Sequence, residues 1–178
     1  MNKPKKWFVA WFTWLSGAGK TTIADNLQEK LNNQNYNYIQ RLDWDIVRQS
    51  LTRDLWFTPE DRAKNLERVG FVASMLSSND VWVLATFISP YIKEREKLRN
   101  QIPNFIEIWV DAPLEVCEQR DVKWLYQKAR EGQIDNFTWI SDPYQNPYNP
   151  EVHLPTDKLS IDECTNKIIN YLEANNYL

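Results

Sequence analysis

Residues 8–22 read FVAWFTWLSGAGKTT, and this stretch decides the fold. Its first part, Phe8–Thr13, is a short continuous run of apolar residues, which is typical of a strand buried inside a parallel sheet. Residues 14–21 follow the phosphate-loop pattern G-x-x-x-x-G-K-S/T except at its first position, and a helix is predicted over Thr21–Leu31. A strand, a glycine-rich turn and a helix in this order predict an α/β fold.

The glycine-rich turn carries the chemistry of a phosphate-binding loop. Its residues are Ser16, Gly17, Ala18, Gly19, Lys20, Thr21 and Thr22. Gly17 and Gly19 let backbone N–H groups turn inward around phosphate oxygens, and the following helix presents its positive dipole end to the anion. Lys20 can reach the β- and γ-phosphates of a nucleotide, and the Thr21 hydroxyl can ligate Mg²⁺. The loop therefore predicts a nucleoside triphosphate site.

Strand and helix patterns alternate along the rest of the chain. Further buried strands are predicted over Tyr36–Leu42, Val81–Ile88 and Phe105–Val110. Two helix starts carry capping signals, namely Thr58 before Pro59 and a capping box that begins at Ser160. This alternation predicts an α/β fold with a mostly parallel sheet flanked by helices on both faces.

Between residues 120 and 150 these patterns weaken. A short helix is predicted over Leu125–Arg130, and Pro143, Pro147 and Pro150 interrupt the polar sequence that follows. Long irregular segments in compact domains are often lids or binding loops, although a plain surface excursion has the same composition. We expect a lid segment near residues 120–150.

Length and composition exclude several classes of protein. The 178 residues are expected to form a single domain spanning residues 1–178. A net charge of -3 disfavours a generally basic nucleic-acid binder, and the apolar run Trp7–Leu15 is too short to span a membrane. Cys117 and Cys164 provide no disulfide framework and suit a reducing compartment. We therefore expect small-molecule substrates, no nucleic acid, no membrane and a cytoplasmic location.

Two aspartates follow the second predicted strand, at the edge of the sheet where α/β folds bind ligands. Asp43 and Asp45 can orient Mg²⁺ or accept a proton from an attacking hydroxyl. The alternative is that one caps a helix while water solvates the other. Further along, Arg62 and Asn65 share one face of a predicted helix, and Arg48 precedes them. Arginine forks bind sulfate and phosphate through paired hydrogen bonds, but surface ion pairs would use the same residues.

Ser89 and Pro90 follow the next predicted strand and have two interpretations. The pair is typical of a helix cap with proline in the first turn. It also places the Ser89 hydroxyl at the carboxyl end of a strand, where an anionic substrate would lie. His153 is the one histidine and is interpreted as structural, and the sequence contains no His/Cys cluster typical of zinc.

Several phrases, taken together and in this order, resemble the adenylylsulfate kinase (APS kinase) family of the P-loop NTPase superfamily. They are LSGAGKTT (15–22), LDWDIVR (42–48), RDLWFTPEDRAKNLERV (53–69), FISPY (87–91), VDAPLEVCEQRDVKWLY (110–126) and NFTWISDPY (136–144). The resemblance implies a P-loop kinase fold and transfer of the ATP γ-phosphoryl group to the 3′-hydroxyl of adenosine 5′-phosphosulfate (APS). It also implies Mg²⁺ as cofactor, a homodimer, and ADP and 3′-phosphoadenylyl sulfate (PAPS) as products in sulfate assimilation.

The resemblance implies a role for each matching residue. Catalysis is assigned to Lys20, Asp43, Asp45 and Ser89, and the metal to Thr21 and Asp43. ATP binding is assigned to residues 16–22 and Arg120. APS binding is assigned to Asp45, Arg48, Phe57, Arg62, Asn65, Ile88, Ser89, Lys123, Phe137 and Thr138. Ser89 matches a serine described in the family as a phosphoserine intermediate, whereas direct in-line transfer needs only positioning and charge neutralisation.

Six of the nine tryptophans stand where the family would have glycine, and the chain has only 4 glycines. They are Trp7, Trp14, Trp44, Trp56, Trp124 and Trp139. Glycine at such positions often permits a positive φ or a close approach of the backbone, so tryptophan adds bulk near the expected nucleotides. The alternative function is therefore a catalytically impaired nucleotide-binding module. A P-loop kinase for another small molecule agrees less well with the acceptor-side phrases.

Overall fold

The computed structural model describes residues 6–121, 124–134 and 136–178, and the elements named below lie within them. One sheet of five parallel strands has the order β2-β3-β1-β4-β5. The strands are β1 (Val9–Thr13), β2 (Ile39–Asp43), β3 (Trp82–Phe87), β4 (Phe105–Asp111) and β5 (Val152–Pro155). The helices are α1 (Lys20–Asn33), α2 (Trp44–Val47), α3 (Pro59–Ser77), α4 (Ile92–Gln101), α5 (Leu114–Gln119), α6 (Leu125–Arg130) and α7 (Ile161–Ala174). Among the described residues, no helix has the length and apolar character needed to cross a membrane.

The predicted strands are confirmed, with differences at the edges of the sheet. Strands β1, β3 and β4 agree with the predicted runs to within one residue at each end. Strand β2 begins at Ile39 rather than at Tyr36, whose ring packs against Trp82 ahead of the strand. The sequence does not predict β5, because an edge strand of four residues with alternating buried and exposed positions gives too short a pattern.

Alternate residues of β1 point to opposite faces of the sheet, and both faces are covered. Ala10 and Phe12 lie in one apolar cluster with residues of α1 and α7. Val9 and Trp11 lie in a second cluster with residues of α3 and α4. All four side chains are fully buried, which is why the strand appears in the sequence as a continuous apolar run. The predicted arrangement of helices on both faces is confirmed.

Two predicted helix caps are confirmed. The Thr58 hydroxyl accepts a hydrogen bond from the backbone N–H of Asp61, and Pro59 occupies the first turn of α3. At α7 the Ser160 side chain accepts from the N–H of Glu163, while the Glu163 carboxylate accepts from the N–H of Ser160. These caps satisfy backbone donors that an α-helix leaves unpaired at its start.

The predicted cap at Ser89 is wrong. Helix α4 begins at Ile92, two residues later than a Ser89 cap requires, and Tyr91 is its cap residue. The backbone N–H of Ile92 instead donates to the side-chain oxygen of Gln145, a distant residue that supplies the capping acceptor. Ser89 is fully buried and its hydroxyl lies in the core.

Three of the tryptophans at family glycine positions have a left-handed backbone. The φ angles are 148° for Trp14, 56° for Trp124 and 74° for Trp139. The other described non-glycine residues with positive φ are Asn35, Asp80, Asn104, Asn136 and Asn176. Asn and Asp tolerate this region because their short polar side chains bond locally, whereas a tryptophan has no such compensation. The backbone strain expected from tryptophan at family glycine positions therefore falls on Trp14, Trp124 and Trp139.

Candidate active site

A cleft of about 970 Å³ opens at the carboxyl ends of the strands. The predicted site residues that line it are Ser16, Gly17, Ala18, Gly19, Lys20, Thr21, Thr22, Asp43, Asp45, Phe57, Arg62, Asn65, Ile88, Arg120, Phe137 and Thr138. Arg48 and Ser89 lie outside this lining, and Lys123 lies outside the described residues. The structure thus brings together residues from distant parts of the chain into one site at the sheet edge where α/β folds bind ligands.

The phosphate loop requires glycine for two different reasons. Gly17 and Gly19 have φ angles of 74° and 100°, a region that side chains disfavour. A Cβ added at Gly17 would also lie 2.5 Å from the carbonyl oxygen of Cys117, so the loop approaches the backbone of α5 closely. The first position of the loop pattern is different, because the Trp14 side chain turns away into the core and donates to the carbonyl of Ala112.

Lys20 begins α1 and turns back over the phosphate loop. Its ammonium group donates to the carbonyl oxygens of Trp14 at 3.1 Å and Leu15 at 2.5 Å. Burial lowers the pKa of Lys20 to about 8, and the nearby Cys117 and Asp43 only partly counter this effect. A phosphate chain in the cleft would favour the charged form of the lysine, because it adds negative charge to that of Asp43 and to the dipoles of the two carbonyl groups.

The carboxylate of Asp43 is held in the site by three hydrogen bonds. One of its oxygens accepts from the hydroxyls of Thr21 at 3.0 Å and Thr86 at 2.7 Å, and the other accepts from the N–H of Asp45 at 3.0 Å. Burial alone would raise the pKa of Asp43, but these hydrogen bonds and nearby Arg41 outweigh it and hold the pKa below its ordinary value. Asp43 is therefore ionised at neutral pH. It also caps α2, so the alternative interpretation of one aspartate as a helix cap is confirmed for Asp43.

The Thr21 hydroxyl and the Asp43 carboxylate form an oxygen pair beside the phosphate loop, which fits Mg²⁺. This ion prefers oxygen ligands and commonly takes one or two from the protein, with substrate phosphates and water completing its octahedron. Within the described residues, no group of three or more His, Cys, Asp and Glu side chains could hold a metal by itself. The site therefore suits a metal that arrives with a nucleotide.

Aromatic and cationic groups alternate around Phe57 on the other side of the cleft, which we call the acceptor side. Trp44 stacks on Phe57 with ring centroids 5.9 Å apart, and the Arg48 guanidinium lies 4.7 Å from the Trp44 centroid. Arg48 also donates to the carbonyl of Leu55, which explains why it supports the loop before Phe57 rather than lining the cleft. A contact between Arg48 and a substrate stays a prediction: the guanidinium lies outside the cleft lining, and its Nη1 is buried without a hydrogen-bond partner among the described residues.

Arg62 joins the two loops that carry the aromatic residues of the acceptor side. It donates to the carbonyl of Phe57 at 3.0 Å and to the carbonyl of Asn136 at 2.7 Å, and it lies 3.9 Å from the Asp142 carboxylate. The Tyr91 hydroxyl holds that carboxylate through hydrogen bonds of 2.7 and 2.8 Å. Burial lowers the pKa of Arg62, although arginine still remains charged.

Among the acceptor-side residues that line the cleft, two buried side-chain oxygens have no hydrogen-bond partner in the described part of the chain. The side-chain oxygens of Asn65 and Thr138 are buried, and neither forms a hydrogen bond with the described part of the chain. Both residues line the cleft. Since buried polar groups are normally paired, these two oxygens indicate that this half of the cleft receives a polar ligand.

Ser89 belongs to the core behind the cleft. The indole N–H of Trp11 donates to its hydroxyl at 3.0 Å, and the Thr13 hydroxyl lies 2.6 Å from it and 2.5 Å from the Tyr144 hydroxyl. The sequence holds a signal for this orientation, because the period-two alternation of β3 continues past its end. Thr86 and Ile88 line the cleft, so Ser89 points the opposite way. The geometry therefore gives no support to Ser89 as a catalytic or APS-binding residue.

Other parts of the site have no signal in the sequence. Arg120 donates to the carbonyl of Thr156 at 2.9 Å, and the Thr156 hydroxyl donates to the carbonyl of Ala18 in the phosphate loop. An isolated threonine carries no motif, so neither Thr156 nor Thr86 is predictable. His153 stacks on Trp109 and lies outside the cleft lining, in agreement with its structural interpretation.

Comparison with known proteins gives a consistent result. The family model described as adenylylsulphate kinase matches residues 6–155. A protein named adenylyl-sulfate kinase from Halothermothrix orenii is 56% identical over 174 residues, which cover 98% of this chain and 94% of that protein. Another of that name, from Gloeothece citriformis, is 51% identical over 168 residues, covering 94% of this chain and 95% of that protein.

Solved structures agree with the sequence relatives. The Mycobacterium tuberculosis APS kinase in complex with AMPPNP and APS has a TM-score of 0.89 and 40% identity, over 96% of this chain and 99% of that chain. A gluconokinase from Sinorhizobium meliloti, at 12% identity and a TM-score of 0.62, shares the fold alone, over 96% of this chain and 93% of that chain.

Proposed function

The chain belongs to the adenylylsulphate kinase family, and from this premise we infer that its cleft transfers the γ-phosphoryl group of ATP to the 3′-hydroxyl of APS. The products are ADP and PAPS. The observation that carries this function is that one cleft joins a phosphate loop to an acceptor half built of aromatic rings, Arg62 and unpaired polar oxygens. The Mycobacterium tuberculosis neighbour, in complex with AMPPNP and APS, supports the same pairing of ligands.

In the donor half, residues 16–22 surround the phosphates of ATP with backbone N–H groups, and Arg120, which lines the same cleft, completes the ATP site. Lys20 exchanges the carbonyl oxygens of Trp14 and Leu15 for β- and γ-phosphate oxygens. Its positive charge then stabilises the charge that develops as the phosphoryl group moves. Thr21 and Asp43 would hold Mg²⁺, which when bound neutralises phosphate charge.

In the acceptor half, the faces of Phe57 and Phe137 suit stacking on adenine, and Arg62 offers a guanidinium to the phosphosulfate. Asn65 and Thr138 supply the unpaired oxygens described above, and Ile88 is an apolar wall. Asp45 lies exposed at the mouth of the cleft, where its carboxylate can accept a hydrogen bond from the 3′-hydroxyl. Lys123 is proposed as a further APS contact from the resemblance of its sequence context.

The structure gives no support to the alternative function, a catalytically impaired nucleotide-binding module. It was motivated by tryptophan bulk at the nucleotide sites, but Trp44 is the one tryptophan among the described cleft residues. Trp14 points into the core, and Trp56 and Trp124 are exposed. The bulk of these tryptophans therefore lies mainly outside the cleft lining.

The function is tested by incubating the protein with MgATP and APS and measuring PAPS and ADP. We expect equimolar formation of both products, and loss of turnover in Lys20→Met and Asp43→Asn variants that still unfold cooperatively. Gluconate, shikimate and AMP serve as control acceptors. Turnover with one of these acceptors and none with APS would refute the assignment.

We also propose a domain organisation, a cellular location and an oligomeric state. Residues 1–178 are proposed to act as a single kinase domain in the cytoplasm, a compartment that suits the two free buried cysteines. The family resemblance supports a homodimer, while a neighbour from Thiobacillus denitrificans is described as a hexameric APS kinase. Sedimentation velocity at several protein concentrations would distinguish a dimer from a monomer or a hexamer.

A further inference from the structure

Tyr126 touches both halves of the site without lining the cleft. It lies in the first turn of α6, and 3% of its surface is exposed. Its hydroxyl donates to the carbonyl of Ser16 in the phosphate loop at 2.9 Å. Its ring packs edge-on against Phe137, with centroids 5.0 Å apart and planes at 77°. One side chain therefore contacts the donor loop and the acceptor ring.

On the donor side, the hydrogen bond fixes a peptide plane. The Ser16 carbonyl and the Gly17 N–H belong to the same planar trans peptide, so they point in opposite directions. When the Tyr126 hydroxyl holds the carbonyl, it also sets the direction of the Gly17 N–H. Gly17 has a φ of 74° and gains no restraint from a side chain of its own, so an external restraint matters here. Burial raises the pKa of Tyr126, which keeps the hydroxyl protonated and able to donate.

On the acceptor side, the edge contact limits the rotation of Phe137. Edge-to-face pairs are favoured geometries of aromatic rings, so the plane of Phe137 depends on the position of Tyr126. The position of Tyr126 is itself determined locally, because its backbone N–H donates to the Asp121 carboxylate at 2.7 Å. Asp121 lines the cleft, so the start of α6 is anchored to the same site.

We propose that Tyr126 is a positioning residue that links the phosphate loop to Phe137 in the acceptor half, so that a nucleotide bound in one half of the cleft favours binding in the other. This rests on the function proposed above. A nucleotide in either half bears on one of the two contacts of Tyr126, and the side chain carries that restraint to the contact in the other half. Because coupling between two sites is reciprocal, MgADP should raise the affinity for APS by the same factor as APS raises that for MgADP.

Two variants separate the two contacts. Tyr126→Phe keeps the ring beside Phe137 and removes the hydroxyl, whereas Tyr126→Leu removes both contacts. Tyr177→Phe is the matched control, since Tyr177 is also buried and its hydroxyl forms no hydrogen bond with the described residues. Calorimetric titrations with MgADP alone, APS alone, and each in the presence of the other give four dissociation constants per protein. Thermal unfolding establishes that each variant is folded.

In Tyr126→Phe we expect the dissociation constant of MgADP to rise about 2- to 10-fold, the effect of one neutral hydrogen bond, while that of APS alone is unchanged. The coupling factor should fall towards one. Tyr126→Leu should also weaken APS by about 2- to 10-fold, through the lost edge contact. Tyr177→Phe should change none of these values.

The outcomes distinguish the proposal from the function on which it rests. If the wild-type protein binds both nucleotides and Tyr126→Phe retains every constant, the role of Tyr126 is refuted while the function stands. Equal weakening of MgADP and APS in Tyr126→Phe also refutes it, because that pattern reports general damage. A folded wild-type protein that binds neither nucleotide refutes the kinase function itself.

Discussion

Replacing Trp124 by glycine is expected to stabilise the protein. Trp124 directly precedes α6 with a φ of 56°, and 66% of its surface is exposed. A non-glycine residue in the left-handed region costs about 1–2 kcal/mol, whereas glycine adds an entropic cost of about 0.5–1 kcal/mol on folding. Little buried surface is lost with an exposed indole. The net gain in the free energy of unfolding is therefore about 0.5–1 kcal/mol.

Trp56 provides the matched control. It also stands at a family glycine position, and its exposure of 69% is nearly the same, but its φ is not positive. Trp56→Gly relieves no strain and adds only the flexibility of glycine, so it should lower the free energy of unfolding by about 0.5–1 kcal/mol. The two variants should differ by roughly 1–2 kcal/mol, which is the cost of the left-handed backbone.

The assay is thermal unfolding of both variants beside the wild-type protein. For a protein of this size, that difference corresponds to melting temperatures that differ by roughly 2–8 °C, with Trp124→Gly the more stable. The intact mass of each sample verifies tryptophan or glycine at the changed position. Equal shifts in the two variants, or a Trp124→Gly protein that melts below Trp56→Gly, would refute the assignment of strain to Trp124.

Three further predictions concern single residues. Ser89→Ala should lower the free energy of unfolding by about 1–3 kcal/mol, because buried neighbours lose a partner, and should retain kinase turnover. Turnover lost without a change in stability would instead favour a phosphoserine. Gly17→Ala should abolish tight MgADP binding, because its Cβ would clash with the Cys117 carbonyl; Gly132→Ala, with a similar φ of 72° and open space around it, is the control. Hydrogen bonds in the α7 capping box lower the pKa of Glu163, so it stabilises the fold above its unfolded pKa of about 4.3. The stability advantage of wild type over Glu163→Gln should therefore be present at neutral pH and vanish as the solution is acidified, and a pH-independent difference would contradict this.

Local patterns predicted the parts of the fold that depend on neighbours in the chain. The phosphate loop, the central strands and the caps of α3 and α7 each depend on a short stretch of residues, and each was predictable. The edge strand β5 was not, because its pairing with β4 supplies what its four residues cannot. The cap of α4 was also out of reach, since Gln145 lies 53 residues away from the N–H that it accepts.

The same division applies to the candidate site. Residues in contiguous motifs, such as Lys20 and Asp43, were found because one loop or one strand end places them. Thr86, Tyr126 and Thr156 act through tertiary contacts made by single residues, which leave no pattern in the sequence. Arg48 carried a motif match, but the carbonyl of Leu55 and the ring of Trp44 determine its direction.

The stacked pair of Trp44 and Phe57 makes intrinsic tryptophan fluorescence a probe of ligand binding in the cleft. Indole emission responds to nearby charges and to ring stacking, and Trp44 lies in the cleft wall beneath the Arg48 guanidinium. Trp11, Trp14 and Trp82 are buried in the core, and Trp56 and Trp124 face solvent. A nucleotide that binds in the acceptor half is therefore expected to alter the emission of Trp44, and its binding can be followed in stopped flow with no label attached.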